Sequence, residues 1–319
     1  MRRRLGILAF GAVAVLFLLT LAGYAGRWSP ALEVVGNFRL HLAFLAGALV
    51  VVLGLAKLRR SAWLALLTTL IAAAGLGPVF DPVGPPGARY SGGGRPLTLL
   101  YANLWDRNPQ PDALAAMLQA TDADILITSE TSRAVVEGAG GLRAAYPYRL
   151  VRSGTGEALR TAIWSKYPLS DGELYLNNTV APTGAIAIAD LGGGVTLGLI
   201  GAHFSRSFEG LRQIQSEALG PMAAKLGRPL IIAGDFNASP WSWVVARAAE
   251  VTGTDVLGGY RVTWKGHYRT PLGPLPEPWG HQIDQILLSG DIGVVSVETL
   301  DLPGSDHLGL FVRLRIPAP

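Results

Sequence analysis

Leu5–Gly23 runs without a charged side chain, and two further apolar runs follow it: Leu40–Ala56, interrupted only by His41, and Ser61–Phe80. A helix needs about 20 apolar residues to cross a hydrocarbon layer of roughly 30 Å, because lipid offers no partner to exposed backbone groups. All three runs approach that length, and helices buried in a soluble core seldom lack a polar face altogether. The expectation is a membrane anchor over residues 1–80, with transmembrane helices at about 5–23, 40–56 and 61–80.

Charge sorts along the chain in the same way. Residues 1–89 carry nine basic and two acidic side chains, a balance of +7, whereas the remainder carries 18 and 21, a balance of −3. Arg2, Arg3 and Arg4 precede the first run, and Lys57, Arg59 and Arg60 separate the second from the third. Basic flanks of this kind stay cytoplasmic. Everything after Phe80 is then expected on the periplasmic or external side of an inner (cytoplasmic) membrane. The first run also fits a cleaved signal peptide with Gly23-Tyr24-Ala25 as its small-x-small site, which leaves the same final side. Trp28 and Trp63 read as interfacial anchors and His41 as a membrane-boundary residue.

Residues 77–96 hold six glycines and five prolines, which marks a linker over 81–96 ahead of a domain at 97–319. The chain has no cysteine, so thiol nucleophiles, cysteine-ligated zinc and iron–sulfur clusters are excluded. The acidic balance of the domain lacks the bulk basic footprint of a nonspecific nucleic-acid binder. Within it, Leu97–Ala102, Ile125–Thr128, Ala162–Trp164, Val195–Ala202, Leu230–Ala233, Ile283–Leu288 and Leu308–Leu314 read as strands. Asp112–Ala120, Phe208–Leu226 and Pro240–Glu250 read as helices, the last with Ser239 as N-cap. No internal repeat is visible in this part. Many strands with few helices suggest an α/β sandwich of two sheets rather than a regular β-α-β alternation.

Polar residues recur where these strands end. Asn103 follows the first, Glu130 the second and His203 the fourth. Asp235 and Asn237 follow the fifth, Asp284 lies at the start of the sixth, and Asp306-His307 precedes the last. Singly, an Asp or Asn at a strand end is an ordinary turn former. As a set, the carboxylates, amides and imidazoles suit a hard cation such as Mg²⁺ holding a phosphate ester, with an imidazole oriented by a carboxylate.

The order and wording of these pieces resemble the endonuclease/exonuclease/phosphatase superfamily, in a membrane-anchored bacterial form. That superfamily includes deoxyribonuclease I, exonuclease III-like repair nucleases, neutral sphingomyelinases and inositol-polyphosphate 5-phosphatases. The matching pieces include Tyr101-Ala102-Asn103-Leu104, Thr128-Ser129-Glu130, Ala162-Ile163-Trp164-Ser165-Lys166-Tyr167-Pro168-Leu169 and Gly201-Ala202-His203. Further along come Gly234-Asp235-Phe236-Asn237, Thr263-Trp264, Ile283-Asp284 and Ser305-Asp306-His307. The resemblance implies a four-layered α/β sandwich of two packed mixed sheets flanked by helices, and phosphoester hydrolysis dependent on Mg²⁺ or Mn²⁺. It implies Glu130 as the principal metal ligand, Asn103 beside it on metal or phosphate, and Asp306 near the metal. It implies Asp235 orienting or deprotonating the attacking water, Asn237 on a phosphate oxygen, His203 donating to phosphate or leaving group, and Asp284 paired with His307.

The sequence departs from the pattern at Trp105, where some repair nucleases carry Asp, and at Thr161, where glycine is common. No carboxylate partner for His203 is assigned, Glu157 being one candidate. His281 reads as a surface or turn histidine, and His267 and Tyr268 as loop residues. Of Trp241 and Trp243, one reads as core and the other as partly exposed, a lipid-facing or base-stacking pair being the alternative. Nucleic acid and phospholipid headgroups both fit as substrates. A non-catalytic membrane adaptor is the third reading, although such relatives lose a metal carboxylate or the histidine pair, and this chain keeps both.

Overall fold

The N-terminal apolar runs form helices whose lengths decide what they span. The computed structural model describes residues 2–77, 94–137, 142–152, 158–176, 179–206, 210–265 and 279–317. Helix α1 covers Arg2–Ala22, α2 Pro30–Asn37, α3 Arg39–Leu55 and α4 Arg59–Ala74. At 1.5 Å per residue, α1 reaches about 32 Å, but α3 and α4 reach only about 24–26 Å. Among the described residues, one helix, Arg3–Ala22, is long and apolar enough to cross a membrane. A second candidate exists only if α2 and α3, bent by 57°, act as one. The expectation of three transmembrane helices is therefore corrected, and so is the multi-pass arrangement built on it. Most of the 81–96 linker lies outside the described residues.

These helices nonetheless expose much apolar surface, including Leu8, Leu18, Val51, Leu55, Trp63 and Leu70. α3 and α4 pack side by side, and Gly6 of α1 lies against Leu58 in the turn between them. The basic residues Arg3, Arg4, Arg59 and Arg60 thus share one end of the bundle. The other end meets the C-terminal domain.

Beyond residue 94 the strands are β1 (Arg95–Asn103), β2 (Ile125–Ser132), β3 (Tyr148–Leu150), β4 (Ala158–Ser165), β5 (Leu169–Tyr175) and β6 (Thr183–Gly192). They continue with β7 (Val195–His203), β8 (Leu230–Asp235), β9 (Thr254–Val256), β10 (Asp284–Ser289), β11 (Gly293–Asp301) and β12 (Leu308–Ile316). One sheet runs β11-β12-β1-β2-β4-β3 and the other β5-β6-β7-β8-β10-β9. Each holds a single parallel pair, β1/β2 and β7/β8, among antiparallel ones. Helices α5 (Pro111–Ala120) and α8 (Arg212–Leu226) make those two crossovers, while α6 (Arg133–Glu137), α7 (Leu142–Ala145) and α9 (Trp243–Thr252) complete the outer layers.

Strand side chains alternate between faces, which builds the layers. Leu99 and Ile127 face Leu199 and Ile231 between the sheets. Leu100 and Leu126 face α5 through Leu114 and Leu118, and Ile200 and Ile232 face Leu219 and Val245 of α8 and α9. The result is helix, sheet, sheet, helix. Strands β5 and β11 are sheet edges; β5 is exposed along most of its length and carries no apolar run to announce it, while β11 turns exposed only toward its end. In strand β6, Ala185, Ala187, Ala189 and Leu191 face the inner core, while Ile186 faces the outer layer of α8 and α9.

The segment between α1 and α3 docks onto the domain through polar contacts. Asn37 Oδ1 accepts the Ser239 backbone N–H at 3.0 Å, and Ser239 Oγ donates to Asn37 O at 3.1 Å. Trp241 Nε1 donates to Gly36 O at 2.8 Å, and Glu33 Oε1 accepts Val244 N–H at 3.2 Å. Arg39 donates to the Trp241, Gly23 and Gly75 carbonyls. Gly36 permits this arrangement because a Cβ there would stand 2.8 Å from Gly23 O. Ser239 is therefore committed to α2, and the N-cap of α9 is Ser242, whose side chain accepts from Val245 N–H. Trp241 is 6% exposed and stacks on Tyr260, and Trp243 is half-buried against the α8/α9 layer.

Replacing Asn37 with Ala strands a buried Ser239 N–H, which costs about 1–3 kcal/mol. Urea unfolding of the full chain in detergent micelles, followed by tryptophan fluorescence, is expected to show a lower midpoint for Asn37→Ala. An unchanged midpoint would mean that the docked segment adds nothing to stability.

Candidate active site

The parallel pairs bring strand ends to one edge of the sandwich. In register, Asn103 pairs with Ser129, His203 with Asp235, and Asp284 with Asp235. Gly234 lets β8 approach β7, since a Cβ there would fall 2.0 Å from Ala202 O. Glu130 sits where the β2/β4 register breaks, between Thr128 and Thr131, with φ +51°. Asn237 has φ +49° and Trp105 φ +55°. Non-glycine residues in this left-handed region cost of order 1 kcal/mol or more, and at a strand end they re-aim the side chain.

The contacts converge on Asp235. Asn103 Nδ2 donates to Asp235 Oδ2 at 3.1 Å and to Glu130 Oε1 at 3.2 Å. Asn237 N–H donates to Asp235 Oδ1 at 2.8 Å. His203 Nε2 stands 3.8 Å from both Asp235 Oδ2 and Glu130 Oε1, which supplies the carboxylate neighbours that the motifs left unassigned. Glu157 lies outside the described residues. His307 Nε2 is 4.0 Å from Asp235 Oδ2, while its Nδ1 meets Asp284 Oδ2 at 2.8 Å. Among the described residues two clusters of candidate ligand atoms follow, Glu130–His203–Asp235 and Asp235–Asp284–His307, each within 4.8 Å. Asp306 belongs to neither; its Oδ2 accepts the Trp264 indole N–H at 3.2 Å.

Burial and charge set the protonation states. Asp235 is buried beside Asp284, and the two effects raise its pKa to about 8, with His307 opposing. Burial works against charge on His307, but the Asp284 carboxylate, by its charge and its hydrogen bond, outweighs that and raises the imidazole to about 10. Burial lowers His203, with Glu130 opposing and His307 assisting. At neutral pH His307 is thus charged and His203 neutral. Asp235 keeps its proton there, for want of enough positive charge beside it. An added divalent cation beside Glu130 and Asp235 would supply that charge, and the oxygen-rich donor set fits a hard ion.

Several contributors had no site role assigned from the sequence, although Tyr101, Thr263 and Ser305 stand in the matching pieces. Buried Arg212 donates to Asn237 O at 2.5 Å, and burial lowers its pKa against the charges of Glu33 and Asp235. Thr263 Oγ1 accepts the Ile283 and Asp284 N–H groups at 3.1 Å each. Ser305 Oγ donates to Asn103 O and accepts from His307 N–H, tying β1 to the His307 loop. Tyr101 is fully buried, and burial with the charges of Asp284 and Asp235 pushes its pKa well up. His281 is not a surface histidine: burial and His41 lower its pKa to about 4, and its ring meets Phe38 edge-on. His267 and Tyr268 lie outside the described residues.

The chain belongs to the endonuclease/exonuclease/phosphatase family, whose model matches residues 90–307. Members of this family are hydrolases acting on phosphoester bonds. Among solved structures, the human Nocturnin catalytic domain with bound sulfate is 17% identical with a TM-score of 0.53, covering 73% of this chain and 100% of its own. A mutant beta toxin from Staphylococcus aureus with bound magnesium ions is 15% identical with a TM-score of 0.52, covering 70% and 100%. Sphingomyelinase C from Streptomyces griseocarneus is 17% identical with a TM-score of 0.50, covering 69% and 99%. At these identities the likeness is one of fold. No curated protein matches the chain.

Both Asp235 and His307 hold a proton more tightly folded than unfolded. Each therefore contributes stability that is complete below its ordinary pKa and lost as pH climbs to the folded value. The windows run from 3.8 to about 8 for Asp235 and from 6.5 to about 10 for His307. In EDTA, Asp235→Asn is expected to lose less Tm than wild type between about pH 5 and pH 8. Mg²⁺ should raise the wild-type Tm more at pH 8 than at pH 5. Parallel pH profiles for wild type and variant would contradict the assignment.

Proposed function

We propose that the protein is a divalent-metal-dependent phosphoester hydrolase seated in a membrane by its N-terminal helices. The observation that carries this reading is the shared position of Asp235 in the two clusters, with acids on one side and a carboxylate-held imidazole on the other. Mg²⁺ or Mn²⁺ would be held by Glu130, with Asn103 and Asp235 beside it and Asp306 nearby. Bound there, the cation would polarise a phosphoryl oxygen and offset the carboxylate charge.

The chain's own residues supply the rest. Asp235 orients the attacking water and accepts its proton. Asp284 accepts the His307 Nδ1–H, which orients the ring and holds it charged, so that Nε2–H points into the cleft as a donor for a phosphoryl oxygen. His203 donates to the phosphate or the leaving oxygen, and the Asn237 amide holds a phosphoryl oxygen, its backbone fixed by Arg212 and by Asp235. The water oxygen bonds to phosphorus, one P–O ester bond breaks, and the departing oxygen takes up a proton.

Support for the membrane comes from α1, which is of spanning length, and from the apolar surface of the helices packed near it. Arg3 and Arg4 stand at the start of α1, and the domain docks where α1 ends. The preference for basic residues on the cytoplasmic side then puts the domain on the opposite face.

The full chain with Mg²⁺ or Mn²⁺ is expected to hydrolyse bis(p-nitrophenyl) phosphate and to stop in EDTA. Glu130→Gln and His307→Ala should each lower kcat by roughly 10²–10⁴-fold. Metal-dependent binding of a phosphate ester without turnover would favour a non-catalytic adaptor. Full activity in both variants would overturn the site.

A further inference from the structure

Six rings form a line from the cleft to the surface of α3. Trp264 donates to Asp306 and pairs through its backbone with both His307 and His281. Its ring lies 6.2 Å from His281, which is 5.1 Å from Phe38 and 4.8 Å from His41. His41 is 6.2 Å from Trp279, and Trp279 is 5.6 Å from Phe44. The line is composite: Trp264, His281 and Trp279 come from the catalytic domain, and Phe38, His41 and Phe44 from the N-terminal section. His41 Nε2 and Trp279 O, 3.1 Å apart, join the two halves.

Phe38, Phe44 and Trp279 stay 44%, 46% and 46% exposed. The line is half-buried at Trp264, His281 and His41 and open at Phe38, Trp279 and Phe44, and an exposed run of rings leading to a site is a surface for an apolar ligand. Its far end says which one. Phe44 stands on α3, whose further turns expose Leu45, Val51, Val52 and Leu55, the surface assigned above to the bilayer. A ligand that follows the rings outward therefore passes into lipid. Base stacking is the other use of exposed rings, but a polyanionic strand would enter a domain of acidic balance along a path that ends on an apolar helix.

We propose that this line is a substrate wall for a bilayer lipid. The phosphoester sits among His203, Asp235 and His307, and the apolar chains lie along Phe38, Trp279 and Phe44 toward the hydrocarbon around α3. The lipid then reaches the cleft without moving its chains into water, the unfavourable step for any soluble enzyme of this chemistry. The proposal rests on the hydrolase reading and adds the class of substrate and the residues that select it. Water adds to phosphorus, the ester oxygen on the lipid or headgroup side leaves, and that oxygen takes the proton.

The test compares kcat/KM of the full chain with Mg²⁺ on vesicles of phosphatidylcholine and phosphatidylglycerol, on bis(p-nitrophenyl) phosphate and on plasmid DNA. In Phe44→Ser and Trp279→Ala, the ratio of vesicle to soluble-ester activity is expected to fall at least about tenfold. Phe44→Leu, which keeps an apolar side chain on an exposed helix position, should retain most of the ratio. An unchanged ratio in both variants overturns the wall. So does wild-type turnover of the soluble ester or of DNA with none on vesicles, and that result leaves the hydrolase reading standing. No turnover of any of the three substrates overturns both.

Discussion

Asp235 is a carboxylate taken out of water and placed opposite a second one, Asp284, in the strand register. Burial of two acids this close is unfavourable unless something compensates. The surrounding residues read as that compensation: Asn103 and the Asn237 backbone donate to Asp235, His307 takes its charge from Asp284, and His203 waits at 3.8 Å. The same tension gives the site its chemistry. A carboxylate held above its ordinary pKa favours a bound cation, and an imidazole held above its own is a charged donor at neutral pH.

The sheets exist to maintain that arrangement. Two parallel pairs, each closed by one helix, deliver four strand ends to a common edge, and left-handed residues at Glu130 and Asn237 turn the last side chains inward. Rigid strands hold such geometry better than loops do. The loop carrying Asn237 has its own support in Arg212, and the following residues Ser239 to Val244 are fastened to Glu33, Gly36 and Asn37. The N-terminal section is therefore a support for the loop that follows Asn237.

The docked segment also orders the two parts in space. Because the first turn of α3 touches Trp279 and His281, and Trp264 bridges His281 to His307, the apolar helices and the candidate site are neighbours. A flexible linker alone would leave that relation undefined. The hydrogen bonds of Asn37, Gly36 and Arg39 define it.

Much of this was legible in the chain because the signals are local. Apolar runs a strand long, ended by Asn103, His203 or Asp235, fall on strands ended by those residues, and the Gly234-Asp235-Phe236-Asn237 piece carries its own reason in the close approach of β8 to β7. Edge strand β5 was not legible, since exposure removes the apolar pattern, and β6 and β11 were missed although Ala185–Ala189 and Val294–Val297 carry apolar residues. Nor were three spans: an apolar run sets composition, but helix ends at Leu55 and Ala74 set length. Only the tertiary structure made Arg212 a support for Asn237, gave Ser239 to Asn37 rather than to α9, and drew His281 out of a presumed surface position into a line of rings. Sequence fixes what each residue offers. Which offers meet is decided by packing between segments some 200 residues apart, as in the Asn37–Ser239 pair, and no local pattern encodes that distance.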